Sequence, residues 1–250
     1  MSSPDTQTIA SAVLTAFGDV VSIPSFDGLD MDQAYAVTEE IRKRRVANGE
    51  QVVGMKIGFT NRSIWDEYNV HAPMWGYMYD TTVAPLEGDL DLATFIEPRI
   101  EPEICFSMER TPSPEMSDEE LLACAGWVAH GFEVVQSPFR DWRFTAPDTV
   151  AAYGLHGKLL LGPRHPASDL GDFEIRLKGS DGTVEHGGTS LVLGGPVKAL
   201  RHALEIGCPV EAGHMVTTGT LTRAVPIAPG QTWETETRGT NIAGIAATFA

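Results

Sequence analysis

Glu101 and Glu103 sit one residue apart in Ile100-Glu101-Pro102-Glu103-Ile104, inside a run that otherwise has the makings of a buried strand. In a strand, residues i and i+2 point to the same face. Both carboxylates therefore project together and repel each other. A fold that accepts this run must set a positive charge against it or leave it on a half-solvated edge. Glu133, in Gly131-Phe132-Glu133-Val134-Val135, lies in a second apolar run and is a natural third ligand. Three carboxylates with no nearby His or Cys select a hard, oxygen-seeking ion, Mg²⁺ or Mn²⁺ rather than Zn²⁺. The competing reading is an edge strand with its charges in water, a common fate of Glu-x-Glu.

The chain of 250 residues is long enough for one large domain. It divides into a helical cap over 1–50 and a β-rich catalytic region over 51–250, or forms one continuous domain. The net charge of −16, from 18 basic against 34 acidic residues, argues against nucleic acid as a partner. It says little about a small anion, which responds to the local field of a pocket. Cys105, Cys124 and Cys208 show no CxxC spacing, and an odd, sparse count points to reduced thiols in a cytoplasm. The start, Met1-Ser2-Ser3-Pro4-Asp5, lacks the basic and apolar regions of a signal peptide. No apolar run approaches the roughly 20 residues needed to span a membrane.

The first fifty residues have helical periodicity. Ile9, Val13, Ala16 and Phe17 share one face of a first helix. Ala34, Val37 and Ile41 share a face of a second, which starts near Asp30 or Asp32 and stops at Asn48-Gly49. From Val52 onward short β-type runs alternate with Gly, Pro and Asp. They fall at 52–58, 100–108, 132–136, 158–161, 173–178, 214–218, 231–236 and 242–249. Ser180-Asp181-Gly182 is a hairpin turn. Ser117 opens a capping box with Glu120, and Pro196 suits the first position of a further helix. Strands and helices do not alternate regularly, so the expected fold is α+β: a mixed, mostly β core with a helical N-terminal layer.

Lys56 falls within the apolar strand Gly54-Met55-Lys56-Ile57-Gly58. A partly desolvated lysine loses basicity and can shuttle protons near neutral pH. A snorkelling lysine with its head in water has the same pattern. Asp80 either orients Lys56 or a water, or caps a turn. Asp141 suits ion pairs that fix a loop. His156, in the glycine-flanked kink Tyr153-Gly154-Leu155-His156-Gly157, is either an acid/base or a hydrogen-bonded structural histidine. Val216-Thr217-Thr218-Gly219-Thr220 offers hydroxyl and backbone N–H donors to a substrate carboxylate. No Gly-x-Ser-x-Gly, P-loop or GxGxxG motif is present.

Taken in order, these segments resemble the fumarylacetoacetate hydrolase superfamily, in the branch of 2-keto-4-pentenoate hydratases, 2-oxohept-4-ene-1,7-dioate hydratases and 4-oxalocrotonate decarboxylases. The markers run from Ala34-Tyr35-Ala36-Val37 through Gly54–Thr60 and Glu101-Pro102-Glu103-Ile104 to Glu133-Val134-Val135. Arg140-Asp141-Trp142, Asp148-Thr149-Val150-Ala151, Ala212–Gly219 and Val225–Gly230 continue them. The resemblance implies a β-roll or barrel-like core, an assembly of identical chains, and Mg²⁺ or Mn²⁺ on Glu101, Glu103 and Glu133. It puts the family's lysine on Lys56. Phe59, Thr60, Gln136, Thr218 and Thr220 then fall among the substrate-binding positions, and Asp80 and His156 beside Lys56 among the catalytic ones.

Family substrates are short 2-oxo acids or their dienols. A bound ion would act as a Lewis acid at the C2 oxygen, while Lys56, alone or with Asp80, moves protons between dienol and keto forms. The expected activity is hydration of a 2-hydroxy-alkadienoate or 2-oxo-alkenoate in aromatic-compound breakdown. The rivals are 2-oxo-acid decarboxylation, C–C hydrolysis of an acylpyruvate, and a silent partner subunit of an upstream or downstream pathway enzyme. The chain departs from the family at Gln136, where many hydratases carry Asp, and at 153–158, where they carry an Asn-x-Ser-type segment. One expectation is that His156 has taken over acid/base work there.

Overall fold

The computed structural model describes residues 5–250. Residues 1–4, part of the expected cap and of the start read against a signal peptide, lie outside the described residues. Two helices come first, α1 (Thr6–Asp19) and α2 (Met31–Ala47). Their periodicity buries Ile9, Val13 and Ala16 on α1 and Ala34, Val37 and Ile41 on α2. A capping box starts α2: Gln33 N–H donates to Asp30 Oδ1 at 2.8 Å, and Asp30 N–H donates to Gln33 Oε1 at 3.3 Å.

Then come β1 (Val52–Gly58), α3 (Trp65–Tyr68), β2 (Met74–Tyr79), β3 (Val83–Pro85) and β4 (Asp89–Leu90). The long strands β5 (Arg99–Met108) and β6 (Ala125–Val135) are joined through α4 (Asp118–Leu122), and α5 (Ala146–Ala151) precedes β7 (His156–His165). The hairpin β8 (Glu174–Gly179) and β9 (Val184–Gly188), α6 (Pro196–Glu205), β10 (Met215–Thr220), β11 (Val225–Pro226), β12 (Thr232–Arg238) and β13 (Ala246–Phe249) complete the chain.

The larger sheet runs β2-β1-β10-β5-β6-β7-β3, with β11 paired to β5, and curls into a half-barrel. It is mixed: β1 with β10 and β3 with β7 are parallel, while β5 with β6 and β10 with β5 are antiparallel. The smaller sheet runs β4-β13-β12-β8-β9. This is the mixed α+β architecture expected from the sequence.

Alternation with period two sorts the side chains of the larger sheet. Met55, Ile57, Ile104, Phe106 and Val128 pack with Phe173, Ile175 and Leu221. Ile100, Phe132, Val134 and Leu160 pack with Leu177, Trp233 and Phe249 of the smaller sheet. Lys56, Glu101, Glu103 and Glu133 occupy the intervening positions of the same strands, so the opposite face carries the charges.

Helices α1 and α2 share an apolar cluster with Val70, Met74, Phe139 and Val150. Buried Asp148 ties this layer down by accepting from Ser25 Oγ at 2.5 Å and Phe26 N–H at 2.9 Å. Several segments differ from expectation, β6 among them, which starts at Ala125 rather than at 132. Residues 74–79, outside the β-type runs of the sequence, form β2. The strand expected over 242–249 begins at Ala246, because Thr237 Oγ1 donates to Ile242 O and Ile242 N–H donates to Thr240 Oγ1. Those side-chain bonds replace the ladder there.

Candidate active site

Antiparallel pairing of β5 and β6 sets Glu101 directly opposite Glu133, with Glu103 two residues along on the same face. One oxygen from each of the three carboxylates lies within 4.8 Å of the others. Two unit charges about 4 Å apart repel by about 4 kcal/mol at an effective dielectric near 20. Three such pairs rival the whole stability of a domain, so protons or cations must intervene.

Part of the compensation is built in. Lys56, on β1 and separated from β6 by β10 and β5 in the curled sheet, sets Nζ 3.1 Å from Glu133 Oε2. His156, at the start of β7, puts Nδ1 2.6 Å from Glu133 Oε1 and Nε2 2.9 Å from Thr82 Oγ1. Burial pushes the Glu133 carboxyl up, but the Lys56 charge and the His156 hydrogen bond outweigh it and hold it at about 2. Burial opposes the Lys56 charge as well, yet Glu133, Glu101 and Glu103 together raise its pKa. The loss of basicity expected for this lysine is therefore reversed while the three carboxylates face it uncompensated. Burial carries Glu101 up to about 7 against the pull of Lys56, and burial with the charges of Glu133 and Glu101 carries Glu103 well above the carboxylate range. Burial lowers the His156 pKa despite Glu133.

Glu103 is oriented from behind by a backbone bulge. Thr217 pairs with Cys105 and Thr220 with Glu103, so three steps along β10 match two along β5. Gly219 carries the irregularity at φ +98°, and its N–H donates to Glu103 Oε2 at 2.9 Å. A Cβ there would overlap the Thr60 hydroxyl. The other Glu103 oxygen, Oε1, is buried and accepts no hydrogen bond, and buried Glu133 Oε2 has only the Lys56 ammonium beside it. An orphaned Glu103 oxygen converging with two further carboxylates is a donor set that fits a hard divalent cation.

With Glu133 fully buried beside them, Glu101, Glu103 and Lys56 line a cleft of about 560 Å³, including its open mouth. Its walls are largely apolar, with Phe59, Tyr68, Trp142, Phe144 and Leu155 among them. Gly154, at φ +67°, lets the backbone pass the Lys56 stem, where a Cβ would lie 3.2 Å from Cδ.

No family model matches the chain. A 4-oxalocrotonate decarboxylase from Pseudomonas sp. is 30% identical over 209 residues, 82% of either chain. A 2-hydroxyhexa-2,4-dienoate hydratase from Comamonas testosteroni is 32% identical over 216 residues, again 82% of either chain. The chain belongs to the hydratase and decarboxylase branch of the fumarylacetoacetate hydrolase superfamily. The solved structure of a 4-oxalocrotonate decarboxylase from Pseudomonas putida G7, complexed with magnesium and adipate, agrees in shape. Its TM-score is 0.90 at 26% identity, covering 98% of this chain and 97% of that one.

Within this branch member the cleft gathers Lys56, Phe59, Thr60, Glu101, Glu103 and Thr220 of the residues expected at the site. Others lie elsewhere. Asp80 does not meet Lys56: it is exposed, and its carboxylate accepts from Gln51 N–H and Thr81 N–H, fixing a turn. Thr218 falls on the far side of the bulge and donates to Ile104 O at 3.1 Å. Gln136 Oε1 accepts from Ile96 N–H at 3.1 Å and so holds the chain entering β5. His156 is buried behind Glu133 and is not among the residues lining the cleft. Asp141 forms no ion pair among the described residues; its N–H donates to Glu97 Oε1. The Gly219 N–H, offered by the sequence as a substrate donor, is spent on Glu103.

The cleft also contains residues that sequence reasoning missed: Arg99, Asn61, Tyr68, Trp142 and Phe144. Only Arg99 had a local signal, since it precedes Glu101 by two residues and shares its face. The others come from loops and from the single-turn helix α3, whose paths no periodicity describes.

Proposed function

We propose that this chain is a divalent-metal-dependent lyase that adds water to a 2-hydroxy-alkadienoate or 2-oxo-alkenoate. The observation that carries the reading is the convergence of Glu101, Glu103 and Glu133, with Lys56 against Glu133, where Glu101, Glu103 and Lys56 line a largely apolar cleft. The relative named as a dienoate hydratase supports the reaction, and the magnesium of the related decarboxylase structure supports the ion. The three carboxylates would hold Mg²⁺ or Mn²⁺, which supplies Lewis-acid polarisation of a 2-oxo acid.

The protein's own groups divide the remaining work. Phe59, Tyr68 and Phe144 exclude water from the carbon chain. The Thr60 hydroxyl, buried without a partner on the cleft wall, is free to bond a substrate oxygen. Lys56 Nζ holds the proton that passes between the C2 oxygen and the carbon chain as dienol becomes ketone. Neutralising the carboxylates that raise its pKa leaves burial in control and brings that proton within reach of neutral pH. Ketonisation leaves a double bond conjugated with the carbonyl, to which water adds. His156 acts on Glu133 rather than on substrate.

Decarboxylation of a 2-oxo acid is the second reading, favoured by the 30% identical decarboxylase. The same proposal takes the ligand as a small 2-oxo acid or dienol, the assembly as identical chains alone or with a pathway enzyme, and the setting as cytoplasmic. Among the described residues no helix is long and apolar enough to cross a membrane. Incubating the full chain plus Mg²⁺ with 2-oxo-alkenoates, and analysing products for hydration against CO₂, separates the two reactions. Activity that survives EDTA unchanged would remove the metal from the mechanism.

A further inference from the structure

Between α5 and β7 the chain passes through three consecutive positive φ angles: Tyr153 at +52°, Gly154 at +67° and Leu155 at +63°. Glycine accepts this region freely, but a tyrosine and a leucine adopt it rarely and only where their surroundings enforce it. The turn has a specific seat. Lys56 and Gly76 stand opposite each other on β1 and β2. The Tyr153 carbonyl fills the space a side chain at Gly76 would take, since a Cβ there would come within 2.4 Å of it, and Gly154 lies against the Lys56 stem. The strained turn therefore packs directly on the Lys56–Gly76 pair.

Backbone hydrogen bonds hold its far end. Leu155 N–H donates to Ala152 O and Gln136 N–H donates to Leu155 O, each at 2.9 Å. His156 follows and meets Glu133. At the near end the helical layer holds the buried Tyr153 ring. The ring centre lies 4.8 Å from that of Phe17 on α1 and 5.4 Å from the guanidinium carbon of Arg45 on α2. Arg45 is itself fixed: it lies 3.8 Å over the Tyr79 ring, and its Nε and Nη2 donate to the two Glu50 oxygens at 2.7 Å each. A guanidinium within about 6 Å of an aromatic face attracts it while keeping its ion pair.

We propose that Tyr153 is a positioning residue: gripped by Arg45 and Phe17, it holds the strained turn that keeps Lys56 and His156 in place against Glu133. The helical layer is then part of the working site and not only its cover. The proposal rests on the lyase reading for the work that Lys56 does.

Three substitutions separate grip from strain. Tyr153→Ala removes the ring and keeps the strain, Tyr153→Gly removes both, and Tyr153→Phe keeps the ring. A ring that only fills space predicts that glycine is no better than alanine; a ring that enforces the turn predicts that glycine rescues. In the metal-free full chain, reductive methylation of Lys56 is read by mass spectrometry against exposed Lys178. Local opening should raise Lys56 labelling by about tenfold or more in Tyr153→Ala and Arg45→Met, and leave it within about threefold of wild type in Tyr153→Gly and Tyr153→Phe. With Mg²⁺, kcat should follow the same order, falling by about thirtyfold or more in Tyr153→Ala while KM stays within about threefold. Equal effects of alanine and glycine overturn the proposal. So does wild-type labelling or kcat in Tyr153→Ala, or a Tyr153→Phe as impaired as Tyr153→Ala. If Tyr153→Ala does not fold, Arg45→Met decides, and wild-type labelling in it overturns the grip. If the wild-type protein converts no 2-oxo-alkenoate, the lyase reading fails, while the order of labelling still decides whether Tyr153 positions Lys56.

Discussion

Lys56 Nζ lies 3.1 Å from Glu133 Oε2, and both side chains are shut away from solvent. Removing one member of such a pair strands the other as an uncompensated buried charge. Lys56→Met should therefore cost about 3–5 kcal/mol of stability in metal-free protein. Mg²⁺ should restore much of it by taking over the neutralisation of Glu133. Turnover should fall by about a hundredfold or more with the metal present. Denaturant unfolding with and without Mg²⁺ checks the first part, and a metal-free loss below 1 kcal/mol would contradict it.

The carboxylates predict an unusual pH profile for the metal-free protein. Glu101, at about 7, and Glu103, also raised, bind protons in the folded state that the unfolded chain has released. Their contribution to stability falls as pH rises from the unfolded carboxylate range near 4.5 toward 7. Glu133, held at about 2, contributes in the opposite sense: its stabilisation is present above about 4.5 and is lost as pH falls toward 2. Thermal melts across pH 3–8 should show the three carboxylates' contribution greatest near pH 4.5–5 without metal. Added Mg²⁺ should flatten the decline on the neutral side.

His156 bridges Glu133 and Thr82 from behind the site. Partners of this kind tune a metal site by about 10–100-fold in affinity. His156→Ala should weaken Mg²⁺ binding by that factor and keep turnover at saturating Mg²⁺ within about tenfold of wild type. A thousandfold loss of saturated turnover would return the acid/base role to this histidine.

Gly219 combines φ +98° with close contact to Thr60 and donates to Glu103. Gly219→Ala should destabilise by about 2–4 kcal/mol, adding left-handed strain to overpacking. It should also weaken metal binding, because Glu103 loses its backbone anchor. A melting temperature within 1 °C of wild type would refute the role given to the bulge.

Much of the site was legible in residue order. Period two alone places Glu101 and Glu103 on one face, and it would have placed Arg99 beside them. The apolar runs around Lys56 and Glu133 announce burial, and capping signals mark α2 and α4. The misjudged residues share a cause. The pattern makes Thr218 and Gly219 one donor-rich strand end, but a bulge turns the first away and gives the second to Glu103. Asp80 and Gln136 carry suitable chemistry and turn it on neighbouring backbone N–H groups.

The sequence by itself determined the alternation of faces, the helical layer and the supply of three carboxylates and one lysine in apolar strands. These are local matters, settled by periodicity and by the cost of burying charge. Only the tertiary structure decided that Glu133 stands across from Glu101, that Lys56 meets it across two intervening strands, and that His156 lies behind it. Cross-strand register depends on loops and bulges far away in the chain, and no local pattern encodes which buried charges will meet.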